Sequence, residues 1–165
     1  MRLGVISDTH GFLRPEVFAV FEEVDHILHA GDIGAWDVML ALEALAPVTA
    51  VWGNGDPPDI QARVPPVAAL QLDGFDIVVT HGHDLPDGQG GSPTPARLVA
   101  AFPRAEIIVY GHTHRPLLEL VNRTVTVMNP GGAGQARFNL KPSVGIMELE
   151  PGIPPRARVV PLLPE

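Results

Sequence analysis

The order of hydrophobic segments predicts an α/β layered fold, with two facing sheets and helices outside them. Two observations carry that expectation. Over the first two-thirds of the chain, short β-rich runs alternate with segments of helical periodicity, and the remainder is β-rich. The length sets the scale: 165 residues, 45% of them hydrophobic, can bury the core of one domain spanning 1–165 and exclude disorder as the default state.

Residues 3–6 read as the first strand. Residues 14–24 read as a helix, with Pro15 suited to its first turn and Val17, Phe21 and Val24 at helical spacing. A second strand is expected over 26–30, a second helix over 36–45 with Val38, Leu42 and Leu45 on one face, and a third strand over 48–52. A Pro-rich loop over 56–66 leads to paired strands at 67–72 and 75–80, turning at Asp73-Gly74. The Gly/Pro/Ser-rich stretch 84–93 is loop by composition, and Thr94-Pro95 opens a helix running to about Phe102. Strands follow at 106–110, 117–121, 124–128, 144–149 and 156–160, with a tight hairpin at Asn122-Arg123. The 18 prolines fall mainly in connections, so they punctuate one domain and mark no linker.

Composition narrows the function. The absence of cysteine removes disulfides, thiolate metal sites and cysteine nucleophiles, and it suits a reducing cytoplasm. A formal charge of −8 with singly scattered basic residues leaves no extended nucleic-acid surface. The apolar run in MRLGVISDTH is too short for a signal peptide, and no stretch approaches the roughly 18 apolar residues of a membrane span. The expectation is a soluble cytoplasmic protein with no membrane association. An anionic substrate would need a local positive field, which a metal centre can supply.

The informative feature is where the polar residues fall. Five apolar runs each end in a residue of metal-ligand type: LGVIS before Asp8, HILHAG before Asp32, TAVWG before Asn54, DIVVT before His81 and EIIVYG before His112. The first and last repeat the theme two residues on, at His10 and His114. Open α/β sheets bind ligands outside the carboxyl ends of their strands, so the fold gathers these side chains at one edge. An extended i, i+2 spacing would also point both members of each pair the same way. One Asp or His at a strand end is ordinary; five such ends in one chain argue for a site.

Two carboxylates, one amide and four imidazoles form a mixed N/O donor set. Such a set suits two divalent ions, manganese first, with iron, zinc or nickel as alternatives. A metal pair about 3.5–4 Å apart can clamp the attacking and leaving oxygens of an in-line displacement and lower the pKa of bound water to roughly 7.

The series Asp8-x-His10, Gly31-Asp32, Gly53-Asn54, His81 and Gly111-His112-x-His114 resembles the signature of the calcineurin-like metallophosphoesterases, over about residues 1–132. The short length is similar to their compact bacterial and archaeal phosphodiesterase branch, which is also related to a eukaryotic retromer scaffold subunit. The resemblance implies a four-layer α/β/β/α sandwich of two mixed sheets flanked by helices. It further implies a binuclear phosphodiesterase acting on a small phosphoester substrate, in which a metal-bridging hydroxide attacks phosphorus. Asp8, His10, Asp32 and His114 would hold one metal. Asp32 would bridge, and Asn54, His81 and His112 would complete the second site.

One block departs from the pattern. Larger relatives carry Gly-Asn-His-Glu or Gly-Asn-His-Asp, whose His is thought to protonate the leaving group. This chain reads Gly53-Asn54-Gly55-Asp56, and glycine cannot act as an acid. Slow turnover or a preference for good leaving groups is therefore expected. Compact relatives of this family also lack that His.

Weaker candidates surround this set. His83 follows His81 at i+2, as a proton donor, a substrate contact or a surface residue. His29 reads as a core histidine orienting a ligand, His26 as a surface residue, and Thr9 and Thr113 as facing away from the metals. Asn129-Pro130-Gly131-Gly132 is either a loop beside the site or a plain turn. Arg115 is the cation next to the last block, with a solvated surface residue as the other reading. Gly88 to Gly91 forms no nucleotide-binding loop and reads as a lid. Trp36 and Met39 could mark a homo-oligomer interface or simply pack in the core. The competing function is a catalytically silent metal-binding scaffold or interaction module. A mononuclear zinc hydrolase is disfavoured, since no His-Glu-x-x-His occurs.

Overall fold

The computed structural model describes residues 1–137 and 139–162, so positions 138 and 163–165 of the expected domain lie outside the described residues. The elements run in the order β1 (Arg2–Ile6), α1 (Glu16–Val20), β2 (His26–His29), α2 (Trp36–Glu43), β3 (Val48–Ala50), α3 (Pro58–Gln61), β4 (Val67–Leu72) and β5 (Phe75–Thr80). They continue with α4 (Pro95–Ala101), β6 (Ile107–Val109), β7 (Leu117–Val121), β8 (Val125–Asn129), β9 (Ser143–Glu150) and β10 (Ile153–Pro161).

Two five-stranded mixed sheets result, in the orders β10-β9-β1-β2-β3 and β4-β5-β6-β8-β7. In the first, β1, β2 and β3 are parallel, and β9 and β10 extend the β1 edge antiparallel. In the second, β5, β6 and β8 are parallel between antiparallel edge strands β4 and β7.

The side chains separate into three hydrophobic layers, and three interfaces make four layers. Between the sheets lie Leu3, Val5, Leu28, Ile77, Val79, Ile107, Val109 and Met147. Outside the first sheet, Val17 and Phe21 at α1 and Val38, Met39 and Leu42 of α2 pack on Ile6, Ile27 and Ile146. Outside the second, Leu98 of α4 packs on Val78, Ile108 and Val127. Strand pleat produces this division: Leu3 and Val5 face the inner layer, and Ile6 faces the helices. Central β6 is apolar without interruption because both its faces are covered. Each fully buried Leu, Ile, Val or Phe contributes roughly 1.5–3 kcal/mol. The expected α/β/β/α sandwich is the observed architecture.

Local differences have local causes. Helix α1 stops at Val20, although Phe21 and Val24 still bury themselves as the periodicity requires. A one-turn helix, α3, lies within the loop expected at 56–66, started by prolines in positions a helix tolerates. The Asp73-Gly74 and Asn122-Arg123 turns have positive φ at both residues (50° and 86°; 53° and 61°), as tight two-residue hairpins demand. Met39 is buried, while Trp36 packs against the same core with the Arg63 guanidinium 4.7 Å over its ring. Core packing therefore accounts for both. The loop expected as a lid is strapped to α4: Arg97 donates to both Asp87 carboxylate oxygens at 2.8 Å and to the Ser92 carbonyl at 2.8 Å. Among the described residues, no helix is long and apolar enough to cross a membrane.

Candidate metal centre

The six parallel strands all point their carboxyl ends to one edge of the sandwich. Asp8 follows β1, Asp32 follows β2, Asn54 follows β3, His81 follows β5 and His112 follows β6, while Asn129 ends β8. Each side chain emerges where the ladder stops and the backbone is free to turn.

That turning differs from the extended geometry expected for Asp8/His10 and His112/His114. Asp8, His10, Asp32, His112 and His114 have φ values of 55°, 49°, 53°, 72° and 59°. Left-handed backbone is uncommon outside glycine, though Asp, Asn and His enter it more readily than other residues. A cluster of such residues characterises functional sites, where surrounding contacts hold the strained conformation. The contacts here are backbone ties: Asp8 N donates to the Gly31 carbonyl at 2.9 Å, and His10 N to the Asp32 carbonyl at 2.9 Å.

Glycines let the strand ends approach. A side chain at Gly53 would collide with Asp32 Oδ1, and one at Gly111 would collide with Ser7 Oγ and Asp8 Oδ2. These glycines immediately precede Asn54 and His112.

Two donor groups result, and they share Asp8. Asp8, His10 and His114 form one; Asp8, Asp32 and His81 form the other. Asp8 Oδ1 lies 3.3 Å from His114 Nε2, 3.8 Å from His10 Nε2 and 3.9 Å from His81 Nε2. Asp32 Oδ2 lies 3.3 Å from His81 Nε2 and 3.6 Å from His10 Nε2. The His10 and His114 rings stack at 5.3 Å. Asn54 and His112 sit at the rim as a pair, with Asn54 Oδ1 3.1 Å from His112 Nδ1, and His112 lies outside both groups. Thus the structure brings Asp8, His10, Asp32, His81 and His114 into one cluster, and places Asn54 and His112 beside it.

A cation fits the polar atoms that this arrangement leaves over. Asp8 Oδ1 and His81 Nε2 are buried without hydrogen-bond partners. An unsatisfied buried polar group costs about 1–3 kcal/mol, which a bound ion would relieve. The other atom of each side chain is already committed. Asp8 Oδ2 accepts from Ser7 Oγ at 2.6 Å and from His112 N at 3.1 Å. His81 Nδ1 donates to the Ala30 carbonyl at 2.8 Å, so the neutral ring, once free of its second proton, presents an Nε2 lone pair to the cluster.

The electrostatics are those of anions among imidazoles. Burial alone would raise the Asp8 carboxyl, but His114, His81 and Ser7 outweigh it and hold the group below its ordinary pKa. Burial likewise opposes ionisation of Asp32, yet His81, the Gly55 amide and His10 bring it down to about 2. Burial would lower His81, and the carboxylates of Asp32 and Asp8 reverse the direction and raise it. Without metal the pocket thus favours a proton on His81, which a divalent cation would displace. His10 and His112 are lowered chiefly by burial, which favours the neutral, ligating form.

Several residues position the donors without being donors themselves. The Asp56 carboxylate, 4% exposed, accepts from Ile33 N at 3.2 Å, Gly34 N at 2.8 Å and Gly53 N at 2.9 Å, joining the loop of Asp32 to the loop of Asn54. The Asn129 amide donates to the Gly111 carbonyl at 3.1 Å and to Thr113 Oγ1 at 3.0 Å, bracing the His112–His114 turn. Gly132 backs directly onto the His114 ring. His29 is wholly buried, with Nδ1 accepting from Gly31 N at 3.1 Å and Nε2 3.1 Å from Thr9 Oγ1. Thr9 Oγ1 donates to the Ile33 carbonyl, and so faces away from the cluster. Arg115 is exposed, and the cation whose charge acts on His10 is Arg137. His26 is half-buried and pairs with Thr49 at 2.8 Å, remote from the site.

Known proteins share this arrangement of elements. Residues 1–152 match the model of the calcineurin-like phosphoesterase superfamily domain. A probable metallophosphoesterase of Methanothermobacter thermautotrophicus is 32% identical over 155 residues, covering 91% of this chain and 87% of that one. A phosphodiesterase of Methanocaldococcus jannaschii is 26% identical over 166 residues, covering 91% and 94%. Among solved structures, Vps29 of Entamoeba histolytica superposes with a TM-score of 0.76 at 22% identity, covering 98% of this chain and 99% of that one, a likeness of fold. With the family model spanning most of its length and the donor cluster at the strand ends, this chain belongs to the calcineurin-like phosphoesterase superfamily.

Proposed function

We propose that this protein is a binuclear metal-dependent phosphodiesterase acting on small phosphoesters, with manganese as the favoured ion. The observation that carries the reading is the pair of buried, unpartnered atoms Asp8 Oδ1 and His81 Nε2 within two donor groups that meet. In this reading Asp8, His10, Asp32 and His114 surround one ion, and Asp32, Asn54, His81 and His112 the other. The place of Asp32 Oδ2 between His10 and His81 supports the bridging role. Two bound divalent ions would supply a water-derived nucleophile near neutral pH and the positive charge that a phosphate needs.

The chain's own residues do the rest. Ser7 and the His112 amide fix the Asp8 carboxylate, and the Gly55 amide fixes that of Asp32. The Ala30 carbonyl sets the His81 tautomer. His83 flanks His81, with ring centroids 5.4 Å apart, which supports a role as substrate contact or proton donor. Relatives described as a probable metallophosphoesterase and a phosphodiesterase favour chemistry over a silent scaffold.

The test is hydrolysis of bis(4-nitrophenyl) phosphate by protein stripped of metal and reloaded with manganese, with bound metal counted in parallel. Metal-dependent turnover with about two ions per chain is expected. Two ions without turnover would favour the scaffold alternative or a missing acid. No bound metal would overturn the reading.

A further inference from the structure

We propose that Trp52 and His83 form an aromatic wall that selects phosphoesters carrying a planar ring on the ester group. This rests on the phosphoesterase reading and names a substrate class for the same site.

Three ring contacts define the wall. The His83 ring centroid lies 5.4 Å from that of His81, 6.3 Å from that of His112 and 5.5 Å from that of Trp52. His83 therefore links the rings of His81 and His112 at the candidate metal centre to that of Trp52. Trp52 occupies the strand end just before Gly53-Asn54, and His83 lies two residues beyond His81, so both ride on backbone already fixed by the site. Trp52 packs against the core under the helices and stays partly accessible, and His83 is likewise partly accessible. Neither side chain is consumed by the interior. His83 Nδ1 also has no hydrogen-bond partner among the described residues, so ring contacts are its visible support on that side.

An ester group extending from a phosphate on the Asn54–His112 side would run along these rings. A planar π-face stacks on an indole or imidazole, which changes affinity by about 5- to 150-fold per ring. An alkyl or sugar group presents no such face. The wall therefore discriminates by shape and stacking at a place where the metal ligands themselves cannot.

The chain has two tryptophans, Trp36 and Trp52. In a Trp36→Phe background Trp52 becomes the sole indole reporter. Manganese-loaded protein would be titrated with AMP, ribose 5-phosphate, phenyl phosphate and methyl phosphate, following Trp52 fluorescence and, for variants, calorimetry. AMP should quench Trp52 and bind at least about 5-fold more tightly than ribose 5-phosphate. Phenyl phosphate gaining equally over methyl phosphate would assign the wall to any aryl group, and a gain for AMP alone would assign it to nucleobases. The preference should vanish in Trp52→Leu and His83→Ala and persist in Trp52→Phe, which also controls for folding. Equal binding of AMP and ribose 5-phosphate, or a preference that survives Trp52→Leu, would overturn the proposal. Ring preference is read by binding, so it fails or holds separately from metal-dependent turnover.

Discussion

The backbone amide of Gly55 donates to Asp32 Oδ1 at 2.7 Å, which leaves Asp32 Oδ2 facing His81 at 3.3 Å and His10 at 3.6 Å. A carboxylate held by one oxygen has its other oxygen aimed, and this one is aimed between the two halves of the donor cluster. The contact is close because residue 55 lacks a side chain: a Cβ there would come within 3.1 Å of Asp32 Oδ1.

On the proposed bridging role of Asp32, Asp32→Ala should abolish binding of both ions. Metal counting by mass spectrometry should fall from about two equivalents to well below one, with the far-ultraviolet circular dichroism unchanged. Retention of two equivalents would refute the bridging role.

Asp56→Ala removes an acceptor from three amides, those of Ile33, Gly34 and Gly53. Leaving such groups unpaired should cost at least about 3 kcal/mol in urea unfolding. Metal affinity should drop about 10- to 100-fold, since the Asp32 and Asn54 loops lose their tie. A variant with wild-type stability and affinity would show that the tie is dispensable.

The pH dependence of the metal-free protein should report His29. Burial first, against smaller opposing effects of Asp8 and Asp32, lowers it from 6.5 to about 4. The unfolded chain therefore takes up that proton before the folded one does. His29 contributes stability that is present in full above pH 6.5 and lost as pH falls toward 4, a loss of roughly 3 kcal/mol. Asp32 acts in a lower window: its stabilisation is present above 3.8 and lost as pH falls through about 2. Urea midpoints measured from pH 7 to 4 should decline less in His29→Gln than in the parent. Parallel curves would remove His29 as the cause.

Leaving-group sensitivity should be steep. Position 55 offers no proton donor, and general acid catalysis contributes typically about 10²- to 10⁴-fold. Alkyl phosphodiesters should therefore turn over at least about 100-fold more slowly than aryl ones, measured as kcat at saturation on matched pairs, where any difference in binding drops out. Comparable rates would mean that another group protonates the leaving oxygen.

What could be read from the sequence was local. The β4–β5 hairpin was legible to the residue, because alternation and the Asp73-Gly74 turn are written in adjacent positions. The α1 boundary and the single turn of α3 were not, because packing of Phe21 and the constraint of Pro57-Pro58 outweigh periodicity over so few residues. The roles of Asp56 and Asn129, both in segments that the sequence singles out, were not legible for a related reason. Each acts on backbone amides or carbonyls that lie far along the chain, and no spacing rule marks such a partner.

By itself, the sequence determined the layered α/β architecture and the gathering of Asp8, His10, Asp32, Asn54, His81, His112 and His114 at one sheet edge. Hydrophobic period and strand ends settle both, and these are properties of neighbouring residues. Only the tertiary structure decided how those side chains group. His10 and His114 are 104 positions apart and meet at 3.4 Å. Left-handed backbone at five of the seven candidates turns each away from the direction that an extended strand would give it. Such conformations persist only where distant amides and glycines hold them, so the donor geometry exists in the folded chain and in no shorter segment of it.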